Sequence, residues 1–311
     1  MKNDLTPILL FVYNRPWHTK RTIKALQKNS LARESLLYVF SDGPKNDKDV
    51  DRVKEVREYI KIIKGFKKVE IFKSEKNKGL ASSVIFGVTK IINKYDRVIV
   101  LEDDLVVSSI FLVYMNKMLE EYKVEKRVYS ITGYNHPPKI MKIPKNYPYD
   151  IYFNSRASSW SWATWRDRWK NVDWEVKNFK KFLEIKELQK KFNQSGDDMT
   201  QMLINQMQDK IDSWAIRWCY HHFKHSAFCV HPVKSYVNNI GLDGTGVHCG
   251  NASNRFKNEG LNKSKEVHTP KKIEINNEIM NNFRKIYKTK LFKSIVARVL
   301  KNLSCLIFIK K

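Results

Sequence analysis

Residues 97–108 read RVIVLEDDLVVS, an apolar, β-branched run that ends in three consecutive carboxylates, Glu102, Asp103 and Asp104. Three negative charges side by side repel one another, and the cost persists unless a positive group sits among them. Their hard oxygen donors suit Mg2+ or Mn2+, held by one or two carboxylates and completed by phosphate oxygens of a bound molecule. Along an extended strand residues i and i+2 share a face, so Glu102 and Asp104 are expected to point together and Asp103 away. The competing reading of these residues is a solvated acidic turn.

For the carboxylates to meet a ligand, the apolar run must be a strand whose end opens onto a cleft. The flanking sequence supplies such a frame. PILLFVYN (7–14), LLYVFSDGP (36–44), KVEIFKS (68–74) and RVIVLEDD (97–104) read as strands. Between them, a stretch opened by Pro16 with Trp17, Ile23 and Leu26 on one face, the charged 48–63 segment and 77–95 read as helices. This alternation predicts an α/β fold with a mainly parallel, right-handedly wound sheet flanked by helices, in which ligands bind beyond the carboxyl ends of the strands. A further helix, capped by Ser108 or Ser109, and a strand at 127–135 follow.

The pattern changes after residue 150. SRASSWSWATWRDRW brings Trp160, Trp162, Trp165 and Trp169 together, one or two of them expected to face a ligand and the rest to pack. HHFKH places His221 and His225 at i, i+4 but lacks the glutamate of H-E-x-x-H, which favours packing over zinc. A glycine-rich loop, IGLDGTGVHCG (240–250), carries His248. Loops of this kind close over phosphates.

The 311 residues carry a formal charge of +26, which implies an anionic partner: nucleic acid, an anionic membrane surface or a phosphate-bearing small molecule. Cys219, Cys229, Cys249 and Cys305 include no C-x-x-C pair, so neither a zinc ribbon nor a thioredoxin motif is supported. The apolar stretch Ile8 to Val12 is too short for a signal-peptide core or a membrane span, which makes the cytoplasm the expected compartment.

Taken in order, FVYNRP, S-D-G at the second strand's end, N-K-G before the third helix and the strand ending EDD resemble the GT-A glycosyltransferases, nucleotide-sugar enzymes with a Rossmann-like core. More narrowly, EDDLVVS, the tryptophan-rich middle and GTGVHCG resemble the N-acetylglucosaminyltransferase I group, alongside bacterial family 2-like sugar transferases. The resemblance covers roughly residues 5–250. It implies that Asp104 ligates the metal, Asp103 contacts the ribose, Glu102 the transferred sugar, and Asp42, with Arg15 nearby, the uracil. It also implies that Asp212, in IDSWAIRW, is the catalytic base, although Ile211 stands where the group has tryptophan. Among carboxylates outside the metal cluster, Asp212 is preferred because Trp214 gives it an aromatic neighbourhood, and Asp198 is next. Lys78 and His248 are further contacts to the donor.

These readings converge on a GT-A domain over 1–255, with a nucleotide-sugar half (1–135) and an acceptor half (136–255), and a basic amphipathic extension over 256–311. In 261–311, 13 Lys and Arg stand against 3 Asp and Glu, around an apolar stripe that includes Phe283, Ile286 and Leu291. That is the pattern of a helix lying in a membrane interface. The expected activity is metal-dependent transfer, with inversion, from a nucleoside-diphosphate sugar to a glycan or lipid-linked hydroxyl in bacterial cell-surface polysaccharide synthesis. The alternatives are a nucleic-acid-binding protein, which lacks any recognition signature beyond its charge, and an inactive glycosyltransferase-like scaffold.

Overall fold

The computed structural model describes residues 5–245 and 255–288. Strand β1 (Ile8–Val12) is buried along its whole length, as a strand inside a parallel sheet must be. Its side chains alternate between two cores. Ile8, Leu10 and Val12 join one cluster, and Leu9 and Phe11 join the other.

Helix α1 (Pro16–Gln27) starts at a proline, whose missing N–H costs nothing in the first turn. Ile23 and Leu26 are buried, but Trp17 is 54% exposed. Six residues at 100° each place Trp17 about 120° from Ile23 around the helix, off the buried face. Next come β2 (Leu36–Ser41) and α2 (Asp47–Lys61), whose Asn46 cap accepts the Lys48 amide. Then follow β3 (Lys68–Lys73), α3 (Leu80–Tyr95) and β4 (Arg97–Glu102).

These four strands are parallel and lie in the order β3-β2-β1-β4. The chain steps outward from β1 to β3, then returns across β1 to lay down β4. That reversal opens a crevice beyond the carboxyl ends of β1 and β4, where Phe11 pairs with Glu102.

After β4 the chain leaves the sheet as β5 (Leu105–Val107) before α4 (Phe111–Glu121). The expected serine cap is replaced: Ile110 occupies the cap position, and Ser108 ends the β5 segment with its amide on the Tyr236 carbonyl. Strands β6 (Val128–Thr132), β7 (Ile151–Asn154), β8 (Trp162–Trp165) and β9 (Phe228–Pro232) extend the sheet as β4-β8-β6-β9-β7, with mixed directions. The molecule is thus an α/β protein with a mostly parallel central sheet flanked by helices.

Short helices α5 (Arg166–Trp169), α6 (Phe179–Glu184) and α7 (Lys186–Phe192) precede α8 (Met199–Met207) and α9 (Trp214–Lys224). Trp162 stacks on Trp169 and Trp214 at 5.4 and 4.7 Å, so these tryptophans and Trp218 are core. Truncating one to alanine would cost about 3–5 kcal/mol. Strand β10 (Val237–Asn239) pairs antiparallel with β5 and leads into the glycine-rich loop.

Residues 255–288 pack on the domain rather than away from it. Helix α10 (Asn277–Ile286) buries Ile279, Phe283 and Ile286 against Met141 and Tyr152. The apolar stripe assigned to a membrane is, over this part, a protein contact. An amphipathic face carries the same signature in both settings. The stripe from Leu291 onward lies outside the described residues. Among those described, no helix is long and apolar enough to cross a membrane.

Candidate functional site

The positive group facing the acidic run is Arg15. Its Nη2 bonds Asp103 Oδ1 and lies 2.8 Å from Asp104 Oδ2. The expected alternation therefore fails at Asp103. Strand β4 ends at Glu102, and in the turn that follows both aspartates come round to one guanidinium. Asp103 also accepts the Tyr13 amide, and its carbonyl accepts the Thr22 hydroxyl at 2.8 Å. The Asp104 carbonyl accepts the Ile240 amide at 2.8 Å, which ties the glycine-rich loop to the acidic turn. A Cβ at Gly241 would lie 2.1 Å from Asp104 Oδ2, so only glycine permits that approach.

Charge remains in excess, with three carboxylates on one guanidinium. Burial and the two neighbouring carboxylates push the Glu102 carboxyl up to about 8. Among the described residues, no three His, Cys, Asp or Glu side chains form a metal cage by themselves. The donors are nonetheless oxygen-only, clustered and short of positive charge. That set fits a hard divalent ion shared with a ligand's own oxygens.

A cavity of about 260 Å³ joins this cluster to the other expected residues: Arg15, Asp42, Glu102, Asp103, Asp104 and Asp212 all line it. Asp42, at the end of β2, accepts the Lys78 and Gly79 amides at 3.0 and 3.1 Å and so holds the turn into α3. Asp212 reaches the same helix start. Its Oδ2 accepts the Ala81 amide at 3.2 Å, where a carboxylate meets the free N–H groups and positive dipole end of α3. Gly79, with φ of 78°, makes the entry turn, and a Cβ there would lie 2.8 Å from Asp212 Oδ2.

Two expected residues lie elsewhere. Lys78 is exposed, its ammonium 4.7 Å from the centre of the Phe86 ring. Asp198 is paired with both Nη atoms of Arg156, at 2.7 and 2.9 Å. His248 lies outside the described residues. His221 and His225 stack with Tyr129 at 5.5 Å each, in packing roles.

A second cavity, of about 320 Å³, is walled by aromatic rings including Tyr134, Trp160, Phe256, Phe283 and Tyr287. Arg156 lies over the Tyr287 ring at 3.8 Å, and His136 Nε2 meets the Tyr287 hydroxyl at 2.9 Å. Leu242 lines this cavity and Thr245 the acidic one, so one loop borders both. Of the four tryptophans, Trp160 alone lines it. Sequence reasoning missed Tyr13, Asn14, Arg156 and Tyr287. FVYN carries a signal for the first two, because they continue the strand that ends beside EDD. The last two meet only through the fold.

No family model and no curated protein matches this chain. Among solved structures, a mannosyltransferase from Pyrobaculum calidifontis, in complex with GDP-Man and Mn2+, aligns over 54% of this chain and 48% of its own, at 10% identity and a TM-score of 0.34. TarS 1–349 from S. aureus, in complex with UDP, aligns over 45% and 40%, at 13% identity and a TM-score of 0.33. The match thus spans less than half the length of either protein.

Proposed function

We propose that this protein is a metal-dependent glycosyltransferase that moves a sugar from a nucleoside diphosphate, UDP in the first instance, to a hydroxyl of a glycan or lipid-linked acceptor. One observation carries the reading: four strands' order puts Arg15, Asp42, the acidic run and Asp212 around a single cavity at the crevice between β1 and β4.

Asp104, with Glu102 or Asp103 as a second oxygen donor, would hold Mn2+ or Mg2+, which supplies charge neutralisation on a diphosphate. Arg15, at the same place, offers a planar fork suited to phosphate oxygens. Asp212 gives one oxygen to α3 and keeps Oδ1 for the acceptor's proton, in a transfer with inversion. The aromatic cavity across the loop takes the acceptor, since ring faces suit sugar C–H groups. The basic segment beyond 288 holds the enzyme on the inner face of the cytoplasmic membrane, where lipid-linked acceptors for cell-surface polysaccharide are made.

The test is a thermal-shift and calorimetry panel of UDP-, GDP- and dTDP-sugars with and without Mn2+. A ligand that binds the folded state at 100 times its Kd stabilises it by about 2.7 kcal/mol. At least one sugar nucleotide should raise Tm with Mn2+ present, and Asp104→Ala should abolish the shift. Equal shifts in wild type and Asp104→Ala would sink the assignment.

A further inference from the structure

We propose that Arg15 is a built-in counterion that makes divalent-metal binding at Asp103 and Asp104 conditional on a diphosphate. This deepens the function proposed above and rests on it. It explains why a guanidinium stands on the very oxygens a metal needs.

A single nitrogen, Nη2, serves both aspartates, and the three side chains are 16%, 5% and 8% exposed. Charge-assisted hydrogen bonds in so sheltered a place are strong. A metal ion arriving alone must displace them. A guanidinium has five N–H donors. Among the described residues, only those on Nη2 have partners, which leaves Nη1 and Nε for a ligand. Arg15 also lines the cavity in which a diphosphate would sit.

The backbone around Arg15 is fixed. Its carbonyl accepts the Thr19 amide at 3.0 Å and the Thr19 hydroxyl at 2.9 Å, and Pro16 follows it. A shift of the guanidinium is therefore a side-chain rotation about a rigid anchor. Phosphate oxygens compete for the fork and draw it from the aspartates. The freed carboxylate oxygens and the phosphates then coordinate one ion between them. Metal and nucleotide each favour the other's binding, and the coupling passes through this one side chain.

Mn2+ binding to the full-length protein is measured by electron paramagnetic resonance, with and without saturating UDP or GDP, in wild type, Arg15→Gln and Arg15→Lys. Free Mn2+–nucleotide complexes serve as the baseline. Wild type should bind Mn2+ at least about tenfold more tightly with nucleotide than without it. Arg15→Gln should bind nucleotide-free Mn2+ more tightly than wild type does, with the coupling reduced to about twofold or less. Arg15→Lys keeps the charge, and so the fold, but not the fork, and should fall between the two.

Unchanged or weaker nucleotide-free Mn2+ affinity in both variants, with circular dichroism showing them folded, would overturn the inference and leave the proposed function standing. Failure of wild type to bind Mn2+ with either nucleotide would overturn both.

Discussion

The Asp212 carboxylate accepts the Ala81 amide through Oδ2, and Asp212→Asn keeps an oxygen for that bond while removing the base. Stability by urea unfolding should stay within about 0.5 kcal/mol of wild type, while transfer falls by about 10²–10⁴-fold. Asp212→Ala should lose as much activity and, in addition, about 1 kcal/mol of stability, as a lost cap does. Arg15 allows a complementary experiment. Arg15→Met strands the carboxylates of Asp103 and Asp104, which are buried. Breaking a buried pair from one side costs about 3–5 kcal/mol. Urea unfolding at pH 7 should show that loss, and added Mn2+ should restore much of it.

The glycine-rich loop positions the acidic turn by backbone contact, because Gly241 leaves room for Asp104 Oδ2 and Arg15 Nη1. Gly241→Ala forces one of them to move, at a cost of about 1–3 kcal/mol. Isothermal titration should also show weaker Mn2+–nucleotide binding, whereas a glycine in open space, Gly260, should tolerate alanine. Much of this arrangement was legible beforehand. The apolar runs at β1, β2 and β4 are hydrophobic throughout because both faces are buried, and EDD marks where the last one ends. Other features were not legible. Asp103 was expected to face away because strand alternation was carried past Glu102, and no local signal in EDD says that the strand stops there. Phe283 and Ile286 were assigned to a membrane because hydrophobic periodicity identifies a buried face without naming what buries it. The pairing of Asp198 with Arg156 spans 42 positions and follows from packing alone.

Taken together, the chain carries +26 of formal charge, yet its cavity at the β1–β4 crevice is walled by carboxylates. Nucleic acid would find lysines on the surface but a repelling cleft, which favours a ligand that brings its own cation. Acid should destabilise the fold through its buried histidines. Burial pushes His136 and His222 down to about 3 and His231 to about 4. Above their ordinary value of about 6.5 both folded and unfolded chains hold them neutral, so they leave stability unchanged there. As pH falls below it, the unfolded chain takes up protons that the folded one refuses, at about 1.4 kcal/mol per histidine per pH unit. Unfolding free energy should drop steeply between pH 6 and about pH 4. His222 donates to the Trp218 carbonyl through Nδ1 and takes the Ser130 hydroxyl on Nε2. A His222→Gln variant should therefore show about one third less slope, whatever its absolute stability.

The order in which the ribosome delivers these parts has a consequence. Arg15, Asp42, Glu102, Asp103 and Asp104 emerge early, and Asp212 follows. The wall made by Phe256, Phe283 and Tyr287 comes last. A nascent chain halted near residue 255 would already own its acidic pocket while its aromatic one gaped to water. An enzyme caught in that state would spill its activated sugar onto solvent, so synthesis itself arms the catalyst before finishing the chamber that restrains it.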